Sequence, residues 1–153
     1  MSLERAKEYL KNYNLDKEVL EFSTSSATVA LAAQALHCEE SEIAKTLSFY
    51  VDEKPIVIVV AGDKKIDNAK YKAEFHKKAK MIPFEEVEKV IGHEIGGVCP
   101  FGVKDGVNIY LDVSLKEHEY IYPACGTHNS AIKIVVKDFD NIVDNKKWID
   151  VCK

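Results

Sequence analysis

Six consecutive apolar residues, Ile56-Val57-Ile58-Val59-Val60-Ala61, constrain this chain more than any other stretch. Being apolar at every position, the run reads as a strand covered on both faces. Just before it, Leu47, Phe49 and Val51 alternate with Thr46, Ser48 and Tyr50, the period of a half-buried strand. Asp52-Glu53-Lys54 separates the two as a polar turn. Together they predict an antiparallel hairpin at the centre of the fold. The six-residue run is also the longest apolar one, far short of the ~18 residues a membrane span needs.

The elements around the hairpin are mixed. Leu3, Ala6, Leu10 and Tyr13 form one stripe of a first helix. Val19 to Phe22 suits a short strand, and Ser23 to Ser26 offer N-caps for an Ala- and Leu-rich helix over residues 27–38. A third short helix is expected from Ser41 to Lys45 or Thr46. The segment Asn68–Lys78 is helical by composition, and another helix follows Pro83 over residues 84–91. A loop with five glycines and one proline then runs from Gly92 to Gly106. Strands are expected around Val107–Leu111, over 120–124 and over 131–136, with a closing helix over 138–143. Prominent hairpins and few crossovers favour an α/β fold with a curved, barrel-like mixed sheet over a doubly wound one. At 153 residues, with no repeat or linker, the chain reads as a single domain.

Apolar residues at 46% and charged ones at 30% argue against a disordered or fibrous chain. The charged N-terminal residues lack the apolar stretch of a signal peptide, so a cytoplasmic location is expected. Cys38, Cys99, Cys125 and Cys152 are widely spaced, which suits free thiols and lacks the tight spacing of a zinc site. No metal or cofactor is expected. A net charge of −4 speaks against coating long nucleic acid, and no DNA partner is expected. Yet Asp63 to Lys80 carries seven lysines against three carboxylates. That segment is either a solvated helix face or a patch for a few RNA phosphates. Lys64, Lys65, Lys70 and Lys72 are the candidate contacts.

Three features can carry chemistry. Lys45, flanked by apolar residues, is a surface lysine or, turned into a cleft, a fixed charge for a phosphate, an ester oxygen or an oxyanion. Gly96-Gly97-Val98-Cys99-Pro100 lets backbone approach a ligand closely, or is merely a tight connection. Ala124-Cys125-Gly126-Thr127-His128-Asn129 is a glycine turn between strands. His128 there reads as an exposed turn residue by default, or else as a base or an orienting group. A Cys99 or Cys125 nucleophile acting on small esters or thioesters is a weaker reading.

Taken in order, these features resemble the YbaK-like, or prolyl-tRNA synthetase-associated, aminoacyl-tRNA deacylase family. The resembling parts are Glu42–Leu47, Ile56–Ala61, the basic segment, Ile91–Gly102 with its G-x-x-x-P, and the YPACG turn. They span about residues 20 to 143, with 1–19 as an N-terminal helical extension. The resemblance implies a metal-independent trans-editing hydrolase that frees a wrong small amino acid from tRNA, a ribose hydroxyl of the terminal adenosine assisting. By motif, Lys45, Gly96, Gly97 and Pro100 would be catalytic, Lys45 holding the terminal nucleotide or the ester. Val98, Cys99, Ala124, Cys125, Gly126 and His128 would line the substrate pocket. The implied partners are the acceptor end of aminoacyl-tRNA and, as a further candidate, an aminoacyl-tRNA synthetase. Thr127-His128-Asn129 departs from the glycine-rich stretch common in the family, which leaves the accepted amino acid open. A non-catalytic tRNA- or synthetase-binding module of the same fold is the competing reading.

Overall fold

The structure is a computed structural model describing residues 2–144 and 146–153. In chain order the elements are α1 (Ser2–Lys11), β1 (Leu20–Glu21), α2 (Val29–Leu36), β2 (Ile43–Val51) and β3 (Lys54–Ala61). There follow α3 (Asn68–Phe75), α4 (Val87–Ile91), β4 (Asn108–Asp112), β5 (Tyr120–Pro123) and β6 (Ser130–Ala131). The chain closes with β7 (Ile134–Val135), α5 (Val136–Ile142) and β8 (Lys146–Ile149).

The β2–β3 hairpin is central, as its sequence requires. The main sheet runs β7-β5-β2-β3-β4-β8 and curls into a half-barrel, while β1 and β6 form a separate small pair. Pairing is mixed: β2–β3 and β5–β7 are antiparallel, whereas β2–β5, β3–β4 and β4–β8 are parallel. Every residue from Ile56 to Ala61 is at most 2% exposed. Val57 and Val59 point into the larger core with Phe101, Leu111 and Phe139. Ile56, Ile58 and Val60 point the other way, against Tyr71 of α3 and Val151. At the hairpin tip Asp52 and Glu53 both have positive φ, 49° and 67°, which matches the right-handed twist of the flanking strands.

The helix stripe of α1 is buried as expected, with Ala6 and Leu10 fully covered. Tyr9 Oη donates to the Ile142 carbonyl at 2.6 Å, joining the two ends of the chain. Several expectations change. The cap of α2 is Thr28, outside the serine cluster, with Oγ1 accepting from Leu31 N–H at 3.1 Å. Helix α3 ends at Phe75, where His76 turns left-handed, so Lys77 and Lys78 lie beyond it. Residues 84–86 form a 3-10 turn before α4. The expected strand over 131–136 is split between β6 and β7, and β8 adds an unforeseen edge strand. Most consequentially, no helix reaches Lys45. A 3-10 turn covers only Glu40–Glu42, and β2 has begun by Ile43.

Candidate functional site

Lys45 is therefore a mid-strand residue, and its place on β2 creates the site. On the outer edge of β2, pairing with β5 stops at Ala44. It resumes only where Phe49 bridges Met81 and the Ile82 N–H donates to the Ser48 carbonyl at 3.1 Å. Peptide groups on a strand alternate between its two edges, so Thr46 presents its N–H and C=O to the same edge as Ser48. The unpaired stretch Lys45–Leu47 forms one wall of a cavity of about 510 Å³. Ser26 to Val29 and Ala32, around the start of α2, make the second wall, and Ile95, Gly96 and Val98 the third. Met81 and Phe84 stand at its rim. The lining mixes small residues, with Ala27, Ala32, Ala44, Ala124 and Ala131 contributing, and larger apolar ones such as Ile43, Leu47, Ile82 and Tyr122.

Within this cavity Lys45 is half-buried, and Nζ donates to the Lys64 carbonyl at 2.6 Å. Burial pushes its pKa below the usual lysine range, partly offset by Cys152 and Asp63 nearby. One hydrogen bond leaves two of the three ammonium protons for a ligand.

The glycine loop divides by role. Glu94 to Gly97 is a turn closed by Gly97 N–H donating to the Glu94 carbonyl at 3.0 Å, and Gly96 takes φ 87° at its third position, as a type II turn demands. The Gly96 and Val98 amides find no acceptor among the described residues. The Gly97 amide is occupied, and a Cβ there would run into the backbone of Gly126 and Thr127. Gly97 thus serves the fold, with its carbonyl accepting from Gly126 N–H at 2.9 Å. Pro100 is buried, has no N–H, and lies outside the cavity lining.

Of the expected pocket residues, Val98 and Ala124 line the cavity. Cys99, Cys125 and Gly126 are buried behind it. Burial pushes the Cys99 thiol up to about 12 and raises Cys125 well above the ordinary thiol range, so neither is a ready nucleophile. His128 is exposed beside the cavity, its Nδ1 2.9 Å from Glu94 Oε2. Its carbonyl accepts from Ser26 N–H at 2.6 Å, tying the turn to the wall before α2.

The four candidate RNA lysines separate. Lys65 and Lys72 are exposed, and Lys64 lies 3.9 Å from Glu117. Lys70 is engaged internally, donating to Asp150 at 3.1 Å and to the Cys152 carbonyl at 2.8 Å. Among the described residues no group of three or more His, Cys, Asp or Glu is placed to hold a metal ion. Nor is any helix among them long and apolar enough to cross a membrane.

Sequence reasoning missed the wall before α2 and the Met81–Phe84 rim, which come together only through tertiary packing. The available signal was Met81 and Phe84 standing directly after the basic segment. It also missed His93, fully buried within the loop, whose Nε2 lies 2.7 Å from the Phe101 carbonyl.

Residues 24–142 match the model of the aminoacyl-tRNA editing domain. The chain belongs to this family. The similar proteins differ in extent. The uncharacterized protein YwhH of Bacillus subtilis (strain 168) is 47% identical over all of this chain and 98% of its own length. A proline–tRNA ligase of Bacillus cytotoxicus is 28% identical over 106 residues, covering 68% of this chain and 19% of the ligase. Among solved structures, a candidate trans-editing enzyme for prolyl tRNA synthetase superposes with a TM-score of 0.88 at 25% identity. That superposition covers 99% of this chain and 97% of the other. The chain thus has the fold of that neighbour, with the curled mixed sheet and the cavity at the free edge of its β2.

Proposed function

We propose that this editing-domain protein is a trans-acting hydrolase that cleaves the ester of misacylated tRNA and releases a small amino acid. The cavity carries the reading. Its lining brings together half-buried Lys45, the Gly96 and Val98 positions whose amides are unoccupied, and five alanines, around a volume within the ~300–1,000 Å³ typical of small-ligand sites. An aminoacyl ester is already activated, so catalysis needs only a placed water, a stabilised oxyanion and a fixed terminal nucleotide. In this scheme Lys45 holds the terminal nucleotide or the ester oxygen as a point charge. The Gly96 and Val98 amides receive the carbonyl oxygen as negative charge develops. Ala124 bounds the space for the amino-acid side chain, and a ribose hydroxyl of the terminal adenosine assists. His128 with Glu94 sits beside the entrance. The 153 residues act as one unit in the cytoplasm, and a synthetase is a further candidate partner.

Incubating the pure protein with a panel of mischarged tRNAs tests this directly, by following loss of the attached amino acid. One or more small residues should be released, and EDTA should not slow the reaction. If the parent protein hydrolyses none of them, the proposal fails. Tight tRNA binding without hydrolysis would then favour a binding module that uses the same cavity.

A further inference from the structure

Large apolar side chains are seldom left in water, yet Phe84 is 72% exposed and Met81 58% exposed at the mouth of the cavity. Their support is firm. Tyr50 N–H donates to the Lys80 carbonyl at 2.9 Å and Ile82 N–H to the Ser48 carbonyl at 3.1 Å, pinning the segment to β2. The main chain leading into the rim is therefore fixed in advance, which reduces the ordering cost of anything that docks on it.

The chain leading into this rim is basic. Lys78 and Lys80 are exposed, and among the described residues neither forms an ion pair, Lys80 Nζ lying 6.0 Å from the Tyr50 ring centroid, whereas Lys77 is held by Asp52 at 3.2 Å. On the turn that carries Phe84, Glu86 is occupied by the Tyr50 hydroxyl at 2.8 Å, and Glu85 is exposed. A free carboxylate there repels a phosphate but tolerates the face of a base. Two side chains beside free cations also make a small footprint for a protein partner, which typically covers ~800 Å² on each side. An aromatic platform next to ammonium groups without carboxylate partners is the arrangement that grips single-stranded nucleic acid.

We propose that Phe84, with Met81 beside it, is the stacking platform for an unpaired base at the 3′ end of an RNA, whose flanking phosphates meet Lys78 and Lys80. The inference deepens the reading of the cavity as a site for the acceptor end of tRNA and rests on it for the identity of that RNA. It places the single strand across the rim, so that its last nucleotide enters the space beside Lys45.

The test uses the full chain and an unacylated RNA hairpin whose single-stranded 3′ overhang carries 2-aminopurine, a base whose fluorescence is quenched by stacking. The parent should quench the probe saturably. Phe84→Ala should abolish the quench and weaken binding about tenfold, the scale of one base–aromatic stack, and Phe84→Trp should restore both. A blunt-ended hairpin should bind independently of residue 84. Lys78→Glu with Lys80→Glu should flatten the salt dependence by about one unit for each phosphate no longer neutralised. The inference is overturned if Phe84→Ala titrates like the parent, or if Phe84→Trp is as weak as the alanine variant. A parent that quenches the probe yet hydrolyses no mischarged tRNA upholds the platform and sinks the deacylase reading. Parental deacylation kinetics in Phe84→Ala sink the platform and leave the deacylase standing.

Discussion

Lys45 gives up full hydration to sit in the wall of a cavity, held by one main-chain carbonyl. Removing it forfeits that hydrogen bond and also removes a partly desolvated charge, so Lys45→Ala should stay folded. Deacylation should fall at least tenfold, about 1.4 kcal/mol of lost transition-state stabilisation. Lys45→Arg should rescue only in part, because a planar fork does not replace a compact charge beside the Lys64 carbonyl. Since burial lowers the pKa of this lysine, its ammonium is lost at lower pH than for an ordinary lysine. Enzyme-catalysed rate, corrected for spontaneous hydrolysis, should therefore decline early on the alkaline side. Parental rates in Lys45→Ala would remove the lysine from the mechanism.

His93 answers a different question at the same scale. Its ring is fully buried, and burial lowers its pKa from 6.5 to about 4 against the opposing pull of the Phe101 and Ser2 main chain. The Phe101 carbonyl can only accept, so Nε2 carries the proton and the folded state keeps the ring neutral. Between those two values the unfolded chain binds the extra proton and the folded chain does not, so stability falls as pH drops through 6.5 and levels off below about 4. The full effect is of order 3 kcal/mol. His93→Gln cannot titrate, so thermal melts from pH 7 to pH 4.5 should fall less steeply for it than for the parent. Parallel melting curves would show that the buried histidine does not govern acid sensitivity.

At the scale of elements, the loop from Gly92 to Gly106 and the turn before β6 behave as one body. Gly126 N–H to the Gly97 carbonyl and the His128–Glu94 pair join them. A side chain at residue 97 meets main chain, which cannot rotate away. Gly97→Ala should thus cost about 1–3 kcal/mol, the scale of overpacking, and lower the melting temperature by several degrees. Any loss of activity should track that loss of fold. An alanine variant that melts with the parent but is inactive would return Gly97 to the chemistry. Helix α3 separates its lysines in the same way. Lys70 ties α3 to the chain beyond β8 through Asp150 and Cys152, whereas Lys72 has no such partner among the described residues. Lys70→Glu should register in the melting temperature, and Lys72→Glu should leave it unchanged. Equal melting of the two variants would free Lys70 for RNA.

Across the whole molecule, the site depends on the sheet's incomplete pairing. Strand β2 has one long antiparallel partner in β3 and only two residues paired with β5, so its free edge remains where α2, the glycine loop and the 80–84 segment converge. The positive segment from Asp63 to Lys80 runs from the far side of Lys45, where Lys64 accepts its hydrogen bond, to the rim at Met81. If RNA crosses this surface, Lys78→Glu with Lys80→Glu should raise the KM for mischarged tRNA more than Lys64→Glu with Lys65→Glu, because only the former pair adjoins the entrance. The reverse order in KM, measured at low salt, would move the acceptor path to the other end of the segment.

Local period and side-chain chemistry were enough for part of this molecule. Ile56–Ala61, apolar at every position, could only be a central strand, and the stripe of Ala6 and Leu10 could only be a docked helix face. The order of lysine, glycine loop and glycine turn also carried the family resemblance. Tertiary structure alone decided which atoms of those motifs meet the cavity. Whether Lys45 closes a helix or sits within a strand depends on how far the β2–β3 pairing extends, and it runs past Lys45 to Ala44. The free edge beside Lys45 is set by where β5 and Met81, far away along the chain, stop pairing. Gly96 and Gly97 are neighbours of one residue type, yet one lines the cavity and the other is pressed against Gly126, because successive residues point in different directions. Cys99 and Cys125 look reactive in a glycine-rich context and are sealed by packing from α1 and the larger core. The Phe84 rim has no periodicity to announce it: exposure is a property of what fails to cover a residue, and only the folded chain shows that.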